Sequence, residues 1–363
     1  MSFERLNTIV TIVMFGGLLL LAFIKLANPL GINRRGNFFF GLFLLLWASF
    51  WMEEIGSLAG FNEVSEPWIH FLQGLQIFMP VFLYLSIRFY ANPGNRFDWN
   101  DARHLIIPSV FLLLLWLKVR LPEHKSLLVP ALIGLMFFQA FFYVVVSYLK
   151  VKRHRKNLVR FESTIQGKDM NWLDYILVQI IIISVIALVS NVMGMEAPGL
   201  VMNVVNLLVV FTVAYYAIGQ KEVFSNQQSL DDQLDDLDEP DAKQKRMTDK
   251  ELATIKSRLT NLMAAERPFL DSNLNLVKLS ELLNTSTHKL SYTINTGFQL
   301  NFFQFVNQYR VEKAKELLRN NSQNYTVLAI AYESGFNSKT AFNTTFKKLC
   351  GQTPTEYAKA PTS

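Results

Sequence analysis

Over residues 1–221 the chain runs in long apolar stretches with short polar breaks, and from residue 248 onward the pattern changes to short apolar stripes at helical spacing. A hydrocarbon layer of roughly 30 Å takes about 20 apolar residues in helix, because every backbone amide must be bonded within its own segment. Seven stretches meet that length, at 6–27, 37–58, 68–90, 103–121, 127–149, 173–194 and 200–219. The fourth has the shortest uninterrupted apolar core, with Pro108 near its start. The first exceeds a signal-peptide core and is followed by further runs, so it is read as a span and not as a cleaved leader. The pattern predicts an all-α chain: a multi-pass bundle of about seven transmembrane helices, then a smaller helical domain.

Orientation is read from where Lys and Arg collect. The loop after the first run carries Arg34 and Arg35, the loop after the third Arg96 and Arg103, and the loop after the fifth Lys150, Lys152, Arg153, Arg155, Lys156, Arg160 and Lys168. The alternate loops hold Glu53, Glu54, Glu63 and Glu66, and later Glu196; Lys118, Arg120 and Lys125 break the alternation. Seven crossings then put the N-terminus outside and everything after Gln220 in the cytoplasm. The cluster at 150–160 reads first as a topology signal near anionic head groups.

Polar residues inside the runs are costly in hydrocarbon unless they face a partner or a cavity. His70, Gln73 and Gln76 share one face at about 100° per residue. Asn203 and Asn206 lie one turn apart, with Ser190 and Asn191 in the preceding run. His70, Gln73, Gln76, Asn191, Asn203 and Asn206 form a candidate ligand-sensing set; the alternative is that these residues bond helix to helix. No run contains a metalloprotease helix motif, a nucleophile elbow or a paired acid and base, so catalytic residues, cofactor and metal are all expected to be absent.

Charge separates three regions. Residues 1–221 hold 18 Lys/Arg against 12 Asp/Glu, residues 222–241 eight acids and no base, and residues 248–363 14 bases against nine acids. Domains are therefore expected at 1–221 (transmembrane), 222–247 (acidic, flexible linker) and 248–363 (basic and soluble). About 25 linker residues would reach roughly 25–30 Å. Cys350 is the only cysteine, which excludes an intramolecular disulfide.

In the basic region Thr248, with Glu251 three residues on, signals a helix start ahead of Leu252, Ile255, Leu259 and Leu262. Beyond Pro268, two short helices follow. Leu276, Leu279, Leu282 and Leu283 make the inner face of one. Thr285 or Ser286 caps the other, whose Leu290 and Ile294 point inward and whose His288, Ser291, Tyr292 and Asn295 point outward. The arrangement recurs: Val327, Ile330 and Ala331, a sharp turn at Gly335, then a helix capped by Ser338 with Phe342, Phe346 and Leu349 inward. Lys339, Thr340, Asn343, Thr344 and Lys347 are left outward. Between the two, Phe303, Val306, Tyr309, Leu317 and Leu318 stripe a rod of roughly 28 Å, near the ~34 Å between successive major-groove faces of a duplex.

Residues from about 250 to 360 resemble the DNA-binding domain of AraC/XylS-family bacterial transcription regulators. The second unit carries the resemblance in Gly335, Phe336, Ser338, Phe342, Phe346, Lys347, Gly351, Pro354 and Tyr357, and the first in LNLVKLSELL, STHKLS and NFFQFVNQYRVEKAKELL. The resemblance covers about 30% of the chain. It implies two helix-turn-helix units joined by a linker helix, with His288, Ser291, Tyr292, Lys339, Thr340, Asn343, Thr344 and Lys347 as the DNA-binding positions. Where members often carry Arg or Gln this chain has Ser, Tyr and Thr, which leaves Asn343 to adenine as the bidentate contact.

The expected function is a membrane-embedded bacterial regulator of the inner membrane, with the apolar half as sensor or anchor and the basic end on double-stranded promoter DNA. The lipid bilayer is its second partner; RNA polymerase, a homodimer and an unknown small-molecule or envelope signal are further candidates. The alternative is a transporter or membrane enzyme with a regulatory soluble domain.

Overall fold

The protein is described by a computed structural model over residues 3–29, 31, 33–60, 65–92, 94, 97–164, 171–193, 199–219, 247–320 and 325–359. The acidic linker expected at 222–247 lies, but for residue 247, outside the described residues, as do Glu63, Arg96, Lys168 and Glu196 of the loops. The chain divides into two compact units: Met1–Arg153 with Met170–Gln228, and His154–Asp169 with Ser229–Ser363. The second unit thus takes in a stretch that lies, in sequence, between the fifth and sixth apolar runs.

The first unit consists of α1 (Phe3–Ala27), α2 (Arg34–Ala48) leading through a 3-10 turn into α3 (Met52–Leu58), α4 (Glu66–Gln76), α5 (Met79–Ala91), the single turn α6 (Trp99–Ala102), α7 (Ile106–Arg120), α8 (Lys125–Phe161) as far as Arg153, α9 (Asn171–Met193) and α10 (Gly199–Gly219). Among the described residues six helices are long and apolar enough to cross a membrane: Glu4–Ala27, Arg34–Leu58, Pro67–Ala91, Trp99–Arg120, Pro122–Phe161 and Gly199–Tyr216. The sixth of the seven expected runs lies in α9, a helix of 23 residues whose apolar part is described over Trp172–Ile186.

α1, α2, α5, α9 and α10 share a core in which Met14, Leu18, Phe40, Phe43, Ile87, Tyr90, Leu173 and Val213 are buried. Phe40 packs edge-on to Trp172, ring centroids 5.3 Å apart. Small residues let the backbones close: a β-carbon on Gly41 would stand 2.6 Å from Leu26 Cγ. Pro80 has no amide hydrogen, and the chain breaks between α4 and α5 just ahead of it. The carbonyl of Ile77 at that break accepts from Gln139 Nε2 of α8 at 2.8 Å, so it is not left without a donor in an apolar setting.

In the second unit, α11 (Asp249–Ala265), α12 (Leu276–Leu282), α13 (Thr287–Tyr292), α14 (Phe302–Arg319), α15 (Val327–Glu333), α16 (Lys339–Cys350) and α17 (Pro354–Lys359) surround two cores. One gathers Phe161, Leu259, Met263, Phe269, Leu276, Leu279, Leu290, Ile294, Phe302, Phe305 and Val306. The other gathers Val311, Ala314, Leu318, Ile330, Ala331, Phe336, Phe342 and Phe346. The N-terminal half of α14 fills the first core and its C-terminal half the second, which makes α14 the shared wall of the two. Leu282 and Leu349, expected inward, are exposed at 52% and 42%: each sits in the last turn of its helix, where Leu283 or Phe346 already closes the core. The described residues form helices and no strands; an isolated antiparallel bridge pairs Glu162 with Asn275.

Candidate nucleic-acid interface

Each unit of the repeated arrangement is built by local chemistry. In the first, Asn275 accepts the Lys278 amide at 2.9 Å and starts α12. Asn284 turns the chain in the left-handed region (φ 47°), a conformation Asn tolerates better than most residues. Ser286 then accepts the Lys289 amide at 3.3 Å and starts α13. In the second unit, Thr326 accepts the Ala329 amide at 3.2 Å, Gly335 makes the turn at φ 87°, and Ser338 accepts the Ala341 amide at 3.2 Å. Gly351, also at positive φ, ends α16.

On α16, Lys339, Thr340, Thr344 and Lys347 are exposed and Asn343 is half-buried. Thr340, Thr344 and Lys347 fall on the side away from Phe342 and Phe346, which are fully buried; Asn343 flanks that side, and Lys339 is exposed by its place in the first turn. On α13, Tyr292 is exposed and His288 and Ser291 are half-buried. That helix does not simply continue: residues Thr293–Gly297 form a π turn, whose Asn295 Nδ2 donates to Ser291 Oγ at 3.4 Å. Asn295, placed by simple helical spacing on the outer face, is therefore carried by a wider turn than the sequence suggested.

Helix α11 holds the first unit from behind, a role sequence reasoning missed. Arg258 donates to the carbonyl of Leu283 at the C-terminal end of α12, where a cation is favoured. Lys256 donates to the carbonyl of Gly297 and lies 4.9 Å from the Phe298 ring centroid. Lys289 of α13 pairs with Glu251 at 2.6 Å. The signal available in the sequence was one basic residue two positions apart from another on an otherwise amphipathic helix, too common to single out.

Arg310 was missed as well. It lies at 0% exposure in α14, between the two cores, and is the largest fully buried side chain among the described residues. Burial pulls its guanidinium down to about 10, still far above physiological pH, so it is a buried cation. Its Nε donates to the Phe269 carbonyl and one Nη to the Asp271 carbonyl, both at 2.8 Å.

Among the polar residues set apart in the apolar half, Gln76 and Asn203 both bond to the 3-10 turn Ser49–Trp51. His70 Nε2 lies 3.4 Å from Lys118 Nζ, Gln76 donates to Ser49 Oγ at 3.1 Å, and Gln73 is exposed. Asn203 accepts from Trp51 Nε1 at 2.9 Å and donates to Asn7 and Thr11, each at 3.0 Å. Asn206 donates to the Met202 carbonyl at 2.8 Å and accepts from Gln179 at 3.3 Å. Asn191 lies in α9, its side chain outside the described residues.

A family model described as "Helix-turn-helix domain" matches residues 279–360. Among curated proteins, an uncharacterized HTH-type transcriptional regulator of Staphylococcus aureus (strain COL) is 35% identical over 85 residues, 23% of this chain. A second, from strain N315 of the same species, is likewise 35% identical over 85 residues. The chain covers only 11% of the length of these curated relatives. Among solved structures, the C-terminal domain of AraT, a response regulator from Geobacillus stearothermophilus, is similar at 27% sequence identity, over 33% of this chain and 91% of that one, with a TM-score of 0.27. The C-terminal part of the chain carries an AraC-type helix-turn-helix domain.

Proposed function

We propose that this chain is a membrane-embedded bacterial transcription regulator whose apolar helices cross the inner membrane and whose two helix-turn-helix units bind promoter DNA sequence-specifically. The observation that carries the reading is the presence, in one chain, of an AraC-type helix-turn-helix domain and six helices of membrane-crossing length and composition. Large apolar side chains turned outward on several of those helices support it: Phe23 is 68% exposed, Leu127 73% and Phe141 69%. Such a surface is costly in water and favourable in lipid.

In this reading α9 crosses together with the other six helices, so that the C-terminal domain lies in the cytoplasm and the N-terminus outside, as the basic loops require. α13 presents His288, Ser291 and Tyr292, and α16 presents Lys339, Thr340, Asn343, Thr344 and Lys347, to adjacent major grooves. Asn343 reads adenine through its amide, and the lysines bind phosphate. The apolar half anchors the domain and receives a signal. Asn203, which bonds to α1 and to the 3-10 turn after α2, is the sensing-set residue that ties α10 to both.

The test is chromosomal occupancy by the full chain, alongside a His288→Ala plus Asn343→Ala double variant, with membrane fractionation of both. Site-specific peaks for the wild type that vanish in the variant, with both proteins in the membrane fraction, are the expected result. Unchanged peaks would overturn the reading surface, and recovery of the intact chain in the soluble fraction would overturn the membrane half.

A further inference from the structure

Residues 161–164 pack within the second unit although about 80 residues of sequence separate them from its main body. Phe161 is buried in the core with Leu274, Leu276 and Phe305. Glu162 makes the antiparallel bridge to Asn275. Ser163 Oγ donates to the Leu274 carbonyl, and Thr164 Oγ1 donates to the Ser272 carbonyl at 3.0 Å. The Ser163 carbonyl accepts from Asn307 at 2.9 Å.

Arg310 gives this contact its weight. A guanidinium has five N–H donors, and removing acceptors from a fully buried one leaves an uncompensated charge. Of its five hydrogen bonds, two go to the carbonyls of Phe269 and Asp271. The other three go to residues 163 and 164: Nη1 to the Ser163 carbonyl at 3.1 Å and to Thr164 Oγ1 at 3.3 Å, and Nη2 to Ser163 Oγ at 3.0 Å. Residues 248–363 alone would leave this cation with two of its five hydrogen bonds.

We infer that loop 269–275 and the Arg310 face of α14 form a docking surface for an extended segment of this same chain, residues 161–164, and that the docked segment holds the entrance to the first helix-turn-helix unit in place. The loop that the segment zips up leads directly into α12. Withdrawal of the segment strips Arg310 of three acceptors and frees the carbonyls of Ser272 and Leu274, so the loop loosens and α12 loses its support. In sequence the segment lies between the fifth and sixth apolar runs. A displacement of those runs is thereby transmitted to the helix-turn-helix unit without passing through residues 222–247. This last consequence rests on the proposed function; the docking does not.

Two measurements on the full chain in membranes test it, neither of which uses DNA. Antiparallel paired residues have α-carbons roughly 4.5–5.5 Å apart, within disulfide range. In a Cys350→Ser background, Glu162→Cys with Asn275→Cys is expected to oxidise to a 162–275 disulfide, identified by mass spectrometry of the digest, whereas Glu162→Cys with Thr344→Cys is not. Failure of the first pair to cross-link, or equal cross-linking by the second, overturns the docking. In hydrogen exchange, Ser163→Ala with Thr164→Val is expected to speed exchange of amides in 269–279 about tenfold, with α16 unchanged. Unchanged exchange in 269–279 overturns the stabilising role. Either failure leaves the DNA-binding reading intact, because that reading is judged by occupancy alone.

Discussion

A β-carbon on Gly335 would stand 2.3 Å from the carbonyl oxygen of Phe269, at a residue whose φ is already 87°. The turn of the second helix-turn-helix unit is thus seated against the loop that enters the first. The same carbonyl accepts Arg310 Nε at 2.8 Å, so it has little freedom to retreat. Gly335→Ala should cost roughly 2–4 kcal/mol, combining a left-handed backbone penalty with a displaced backbone. Denaturant unfolding of the C-terminal domain measures it; a loss under about 1 kcal/mol would mean that the loop yields.

Asn343 and Lys347 should separate in their effects on DNA. Asn343→Ala is expected to weaken binding to the cognate site by about 1–3 kcal/mol and to relax preference at one base pair. Lys347→Ala should weaken all sequences alike and reduce the salt slope by about one. Fluorescence anisotropy of the full chain in nanodiscs, over a salt series and a set of single-base variants, distinguishes the two. Equal loss of specificity from both would contradict the assignment of roles.

Cys350 ends α16 beside Lys315, and burial pushes its thiol up while Lys315 more weakly pulls it down. Since the thiolate is the nucleophile, alkylation by iodoacetamide at pH 8 should run several-fold slower in the native chain than in urea. Equal rates would place the thiol in open solvent.

Asn203→Ala should destabilise the apolar bundle by about 1 kcal/mol, the size typical of an interhelical polar contact in such a setting. Because Trp51 Nε1 donates to Asn203 Oδ1, the same variant should shift Trp51 emission. A detergent-unfolding titration followed by fluorescence gives both values. No change in either would remove Asn203 from the set of residues that couple α10 to its neighbours.

The sequence by itself determined the helical class, the apolar runs and the two short-helix pairs, because each is written in local signals. Period-3.6 stripes, the caps Ser286 and Ser338 and the obligatory glycine at 335 all act over a few residues of their own helices. Part of the outward set on α16 was legible for the same reason: once Phe342 and Phe346 face the core, Thr340, Thr344 and Lys347 must face away. Tertiary structure alone decided the burial of Arg310, whose partner Ser163 is 147 residues away. It also decided that residues 161–164 belong with the second unit, and which neighbours Gln76, Asn203 and Asn206 bond to. A contact between distant segments leaves no periodic trace in either, and a charged residue inside an amphipathic helix looks solvent-facing until the chain that supplies its acceptors folds over it.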